Sequence, residues 1–262
     1  QGGDSGDLAI SQSISSAGGN DVTLGDLDGD GDPDAFITVG DKTKEDEVLL
    51  NTGDGSFVKH LLEAPFNGSS SALADLDNDG NLDGFIANHD NQPNQLFINI
   101  GGGIFSPRKT YINDVTNGVT EWGYADYQHS AVGDLDGDGA LDIVVARYDS
   151  PLKVIYNRAG NFVGPTTIPD SVGLSVALGD IDDDGDLDII SNGAISKVWL
   201  NQTFEDGGNT TEFLASNQDF GGGSSQGIAV GDLNDDGHLD FIESGDGGPH
   251  TIWINNGPVS YT

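Results

Sequence analysis

Five copies of one acidic nonapeptide, each set between short β-branched and aromatic stretches, predict an all-β fold. The expected architecture is a single domain over residues 1–262, a five-bladed β-propeller of four-stranded blades. The copies occupy 26–34, 75–83, 134–142, 180–188 and 232–240. Their first aspartates lie 49, 59, 46 and 52 residues apart. The residues outside the first and last copies make up about one further period, so the units are expected to close on themselves.

Each unit repeats the same signals. A short apolar stretch runs into the acidic loop, as at Val22–Leu24 or Val176–Leu178, and a second leaves it, as at Ala35–Ile37 or Ile143–Val145. A third ends in asparagine: Asn51, Asn99, Asn157, Asn201 and Asn255. These asparagines read as turn formers at positive φ. A Gly-rich turn and a fourth stretch complete the unit, as at Asp54–Phe57 and Gly102–Phe105. β-branched and aromatic runs separated by Gly, Asn and Asp favour strands, and no helical period competes.

Residues one and three before each first aspartate are small, for example Gly25 and Thr23 or Gly133 and Ala131, with Leu24, Leu73, Val132, Leu178 and Val230 between them. Alternation along a strand then puts the small set toward the central axis and the larger set between blades. The segment Gly6–Ile14 reads as a strand that completes the last blade as its outer edge; Pro258–Thr262 competes for that slot.

Charge agrees with a loop-rich metal protein. There are 44 acidic side chains against 9 basic ones, a net charge of −35. That excludes nucleic acid or an anionic membrane as a partner reached through a basic surface. Leu, Ile, Val and Phe make up 67 of 262 residues, enough to collapse a core despite the charge. Cysteine is absent, which removes disulfides, thiolate metal sites and cysteine nucleophiles. Methionine is absent too, so the sequence is expected to start after processing or to be an excised region. No apolar run approaches the roughly 18 residues of a membrane-spanning helix.

The acidic loop has the donors of a Ca²⁺ cage. Position 1 is Asp26, Asp75, Asp134, Asp180 or Asp232; position 3 is Asp28, Asp77, Asp136, Asp182 or Asn234. Position 5 is Asp30, Asp79, Asp138, Asp184 or Asp236, and position 9 is Asp34, Asp83, Asp142, Asp188 or Asp240. The backbone carbonyl of position 7 (Asp32, Asn81, Ala140, Asp186, His238) adds an oxygen. Glycine at position 6 permits the sharp turn. Four carboxylates brought within about 4 Å would repel by about 4 kcal/mol per pair at an effective dielectric of 20. Their sum exceeds a typical domain stability of about 5–15 kcal/mol, which argues for a cation among them. A helix–loop–helix calcium hand is rejected, because position 12 is Ile37, Ile86, Val145, Ser191 or Glu243 and strands follow the loop.

These loops, each preceded by Gly or Ala and followed by a strand, resemble the FG-GAP/VCBS-type repeats. Such repeats build the propeller head of integrin α chains, fungal calcium-propeller lectins and many secreted bacterial proteins. The resemblance implies a Ca²⁺-binding propeller holding up to five Ca²⁺, each in the loop joining the first and second strands of a blade. The fifth loop departs from the pattern at Asn234.

A ligand is expected on the face away from the metals, where loops vary most. The long connection Tyr111–His129 carries Trp122, Tyr124, Tyr127 and His129, and neighbouring loops add His89, Asp90, Arg147 and Tyr148. Aromatic rings beside amides and carboxylates suit sugars. Trp199 and Trp253 align with third-strand apolar residues and read as core. The sequons at Asn67, Asn201 and Asn209 matter only if the source glycosylates. The expected function is a secreted, extracellular, lectin-like or cell-adhesion module, not an enzyme, with a glycan or cell-surface glycoprotein as partner. Integrin-like protein recognition is one alternative. A glycan-cleaving propeller with two carboxylates about 5–9.5 Å apart is another, although no nucleophile motif appears and the five histidines share no metal-ligand spacing.

Overall fold

A computed structural model describes residues 12–14, 18–62, 66–88, 92, 94–106, 110–111, 127–147, 150–171, 173–193, 195–202, 212–216, 220, 225–245 and 249–257. Among them the chain is all strand and turn, as the acidic repeats and Gly-rich turns predict. The first sheet comprises β1 (Gly19–Gly25), β2 (Asp34–Val39), β3 (Asp46–Asn51) and β4 (Phe57–Leu62). The second comprises β5 (Gly68–Ala74), β6 (Asp83–Asn88), β7 (Gln95–Phe97) and β8 (Thr110–Tyr111). The third holds β9 (Tyr127–Gly133), β10 (Asp142–Arg147), β11 (Ser150–Arg158) and β12 (Asn161–Thr167). The fourth holds β13 (Ser175–Gly179), β14 (Asp188–Asn192), β15 (Lys197–Asn201) and β16 (Phe213–Ala215). The fifth has three strands, β17 (Ser225–Gly231), β18 (Asp240–Gly245) and β19 (Thr251–Trp253).

Each sheet is an antiparallel meander in chain order, and the acidic loop always joins its first two strands. Register is the same throughout. The residue before the first aspartate pairs with the last aspartate, as Gly25 with Asp34 and Gly179 with Asp188. The first strands pack side by side, β1 on β5, β5 on β9, β9 on β13 and β13 on β17. This arrangement of small twisted sheets about adjacent inner strands is that of a β-propeller.

The core lies between sheets. Four apolar clusters each straddle two successive sheets. In the first joint Leu27, Phe36 and Val48 face Ile86, Phe97, Leu73 and Leu82 of the second sheet. The corresponding residues of the second, third and fourth sheets, such as Leu76, Leu135 and Ile181, face the sheet that follows each. A fully buried side chain of this size contributes about 1.5–3 kcal/mol. Trp199 is buried, and Trp253 stacks on Phe241 and meets Phe220 edge-on, so both tryptophans are core residues as expected.

Two expectations need correction. The small residues do not merely line an axis. A Cβ on Gly25 would lie 2.7 Å from Leu82 Cδ1 and 3.1 Å from Leu73 Cδ1, and one on Gly133 2.6 Å from Leu187 Cδ1. Glycine is required because a leucine of the next sheet occupies that space. The strand-terminal asparagines are not at positive φ; among the described non-glycine residues only Asn78, Ala159, Asp170, Asp183 and Asp235 are. The strand expected over Gly6–Ile14 lies outside the described residues up to position 11; beyond it, the Gln12 side chain accepts a hydrogen bond from Phe57 N (2.8 Å) and donates to Phe57 O. Residues 1–11 and 258–262 lie outside the described residues.

Candidate metal sites

The acidic loop is organised by its own carboxylates. The position 1 aspartate accepts the N–H of position 6, as Gly31 to Asp26 (3.0 Å) and Gly139 to Asp134 (2.9 Å). Position 6 is glycine because φ there is +89 to +100° in all five copies. Position 4 is left-handed as well, occupied by Gly29, Asn78, Gly137, Asp183 and Asp235. That second turn went unpredicted, although Gly, Asn and Asp are the types that tolerate it. The position 5 aspartate caps the N–H of position 7, as Asp138 with Ala140 (2.9 Å).

Position 9 is the anchor. One oxygen of Asp142 accepts Leu135 N (2.9 Å) and the other Asn157 N (2.8 Å), and the pair of bonds recurs at Asp34, Asp83, Asp188 and Asp240. These five carboxyls are completely buried at the start of the second strand. The terminal asparagines then tie sheets together. Asn99 Nδ2 donates to Leu27 O, Asn157 to Leu76 O, Asn201 to Leu135 O and Asn255 to Ile181 O, at 2.7–2.8 Å. Each amide thus reaches the metal loop of the preceding sheet.

In the first four loops the carboxylates of positions 1, 3 and 9 converge. Asp26, Asp28 and Asp34 bring one oxygen each within 4.8 Å of the others, and so do Asp75, Asp77, Asp83, then Asp134, Asp136, Asp142, and Asp180, Asp182, Asp188. Three converge, not the expected four; position 5 is held aside by its cap. Three charges at that separation repel by about 3.5 kcal/mol per pair at an effective dielectric of 20. Burial pushes Asp83 up to about 6 and Asp142 and Asp188 up to about 7, against the pull of the two backbone N–H donors. Burial, reinforced by Asp184, likewise raises Asp182 to about 6. Asp134 Oδ1 and Asp182 Oδ1 are buried and accept no hydrogen bond. Hard, converging, orphaned oxygens are the donor set of a divalent cation such as Ca²⁺. The fifth loop has the same backbone, with Gly237 N on Asp232 and Leu233 N on Asp240, but Asn234 replaces the charged position 3.

Neighbouring side chains modify individual loops. Arg158, from the end of β11, pairs with Asp136 and donates to Asp138 at 2.9 Å, placing a guanidinium beside the third loop. His238 Nδ1 lies 2.6 Å from Asp183 Oδ2, linking the fifth loop to the fourth. A Cβ on Gly53 would meet Asp32 at 2.8 Å, so the β3–β4 turn shares the metal end of the first sheet.

Of the expected ligand residues, His129 and Arg147 are described with their side chains. Both lie at the end of β9 and β10 away from the metal loop, where Arg147 pairs in register with Tyr127. His129 is largely buried, and that burial holds its imidazole below the usual range against the charge of Asp21. The side chain of Tyr127, and Trp122, Tyr124, His89, Asp90 and Tyr148, lie outside the described residues. Sequence reading missed a polar strip across the inner strands. There Asp21 accepts Ser71 N at 2.7 Å and Thr23 Oγ1 lies 2.8 Å from Ser71 Oγ. Of the sequons, Asn201 is fully buried, its amide spent on Leu135.

Comparison with known proteins agrees with the loops. The FG-GAP-like repeat matches at residues 26–86 and 134–191. No curated protein matches the chain in sequence. Among solved structures, a lectin from Agrocybe aegerita that recognises non-reducing terminal N-acetylglucosamine is similar at 22% identity and a TM-score of 0.62. The match covers 92% of this chain, which spans 64% of the lectin. BBS1N, solved in complex with ARL6DN, is similar at 12% identity and a TM-score of 0.54, over 90% of this chain and 68% of that one. Likenesses at these identities bear on the fold. The converging aspartates, their strand context and the two matched segments together establish that the chain carries FG-GAP-like repeats.

Proposed function

We propose that this chain is a Ca²⁺-loaded recognition module whose five sheets are propeller blades and whose partner is a glycan, met outside the cell. The observation that carries the metal part is the fourfold recurrence of three aspartate oxygens within 4.8 Å, some buried with no donor. A bound Ca²⁺ would offset two of the three negative charges of each triple. The chain's part is to present that triple: position 9 is clamped by two N–H groups and position 1 by the glycine turn. Extracellular calcium modules work at about 10⁻⁴–10⁻³ M, and a Ca²⁺-dependent module is accordingly placed outside the cell in this proposal.

The glycan reading is supported by the shared fold with the Agrocybe aegerita lectin and by the aromatic connection holding Trp122, Tyr124 and Tyr127. The fold shared with BBS1N supports a second reading, in which the partner is a protein. Neither reading uses a catalytic group, and the module is proposed to bind without turnover. A glycan array probed with and without chelator tests this. Binding is expected in calcium and lost in chelator, and Trp122→Ala is expected to abolish it with the calcium content unchanged. Blank arrays in calcium refute the glycan reading.

A further inference from the structure

Each bridging asparagine touches two consecutive metal loops at once. Asn157 N donates to Asp142, the position 9 member of the third triple, at 2.8 Å. Its Nδ2 donates to Leu141 O (3.3 Å), just before Asp142, and across the joint to Leu76 O (2.7 Å). Leu76 stands between Asp75 and Asp77, two members of the second triple, and its N–H is held at 2.9 Å by Asp83, the third member. A single side chain thus grips the peptide between two candidate ligands of one loop and the anchor of the next.

The same bonds recur at the other joints. Asn99 N donates to Asp83 and its Nδ2 to Leu82 O (3.1 Å) and Leu27 O (2.8 Å). Asn201 does the same with Asp188, Leu187 O (3.1 Å) and Leu135 O (2.8 Å). The position 2 residues pass the connection on: Leu76 and Leu135 each give their N–H to the position 9 aspartate of their own loop and their carbonyl to the asparagine of the next sheet. An unbroken hydrogen-bonded path therefore runs through the first four loops. The three asparagines and Leu27, Leu76 and Leu135 are 0–1% exposed, so the path is shielded from water.

We propose that these asparagines couple the loops, so that Ca²⁺ in one loop tightens the binding of Ca²⁺ by its neighbours; the inference rests on the calcium reading of the triples. Holding Asp75 and Asp77 in place for a cation fixes the Leu76 carbonyl. That carbonyl fixes the Asn157 amide, which holds Leu141 and Asp142 where the third triple needs them. The third loop then has less freedom left to lose when it binds. The asparagines act as positioning residues, and the coupling is reciprocal. Repulsion between bound cations has the opposite sign, since it makes a filled loop weaken its neighbours. The sign of the coupling separates the two effects.

Nuclear magnetic resonance of the ¹⁵N-labelled chain during calcium titration tests this site by site. Gly31, Gly80, Gly139 and Gly185 each donate their N–H to the first aspartate of their own loop at 2.9–3.1 Å, so each reports its own site. Asp77→Ala removes one exposed member of the second triple and leaves the Leu76–Asp83 and Asn157–Leu76 bonds in place. It is expected to weaken calcium binding at Gly31 and Gly139 by about fivefold or more. Asn157→Ala cuts the path between the second and third loops. In that background Asp77→Ala is expected to leave Gly139 unmoved while still weakening Gly31 through Asn99. Unchanged or tighter binding at Gly31 and Gly139 in Asp77→Ala alone overturns the proposal, whether or not Asn157→Ala folds. A dependence of Gly139 on Asp77 that survives Asn157→Ala overturns the assignment to the asparagines. Glycine signals that ignore calcium altogether overturn the calcium reading and the coupling with it, an outcome distinct from loops that bind independently.

Discussion

Replacing Asn157 by alanine isolates the contact that holds one sheet to the next. Asn157 is fully buried. Its Nδ2 donates to Leu76 O of the second sheet at 2.7 Å and to Leu141 O at 3.3 Å, and its Oδ1 accepts Gly160 N at 2.8 Å. Alanine removes all three and leaves a buried carbonyl without its donor. At about 1 kcal/mol per bond plus about 1–3 for the stranded group, the loss is about 4–6 kcal/mol. Asn51→Ala is the internal control. Its amide reaches Pro33 O of its own sheet, its Oδ1 accepts Gly53 N at 3.1 Å, and both bonds are solvent-exposed, so its loss is about 1 kcal/mol. The backbone N–H of each residue still reaches its aspartate, so neither change touches the metal triple directly. At about 2–4 °C per kcal/mol for a chain of this size, the difference of about 3–5 kcal/mol makes Asn157→Ala melt roughly 6–20 °C below Asn51→Ala in saturating calcium. Equal melting temperatures refute the claim that these asparagines bridge sheets.

Two further outcomes follow from packing and charge. Gly133→Ala is expected to cost about 1–3 kcal/mol by pressing a Cβ onto Leu187 and Leu178, while Gly231→Ala, in open space, is neutral or slightly stabilising; thermal melts of the two variants check the contrast. Asp46 is buried beside Glu47, and burial pushes its carboxyl up to about 7 although it accepts Val39 N at 2.7 Å. Because the folded value exceeds the ordinary carboxylate value, the neutral form is the one folding favours. Its contribution is full below about pH 4 and is lost as pH rises to about 7, by at most about 4 kcal/mol. Asp46→Asn is therefore expected to match wild type at pH 4 and to exceed it at pH 8 in urea unfolding; a gap that does not change with pH contradicts this.

Much of the metal loop was legible because it is local. Asp26 to Asp34 fold on one another through bonds spanning no more than seven residues, so residue types at fixed spacing suffice to identify donors and turn. Strand order was legible for the same reason, since every strand pairs with its chain neighbour. What was not legible lies between sheets. The partner of Asn157 is 81 residues away, and nothing in the spacing of asparagines distinguishes a bridging amide from a turn. Gly25 is small for a leucine 57 residues further on, so alternation alone assigned it to the axis. Counting repeats gives the number of units but not the angle between them. The candidate ligand residues were found by being unlike the repeat, a criterion that says nothing about where such residues go.

If the aspartate triples are calcium cages, calorimetric titration of Ca²⁺ into chelator-stripped protein registers them as sites. Three sites of similar affinity are expected, with a weaker one at the third loop, where Arg158 pairs with Asp136, and another at the Asn234 loop. Near pH 6, Ca²⁺ is expected to displace the protons that burial retains on Asp83, Asp142, Asp182 and Asp188, so that the heat depends on the ionisation enthalpy of the buffer. An absence of binding heat in every buffer, together with a melting temperature unchanged by chelator, contradicts the account.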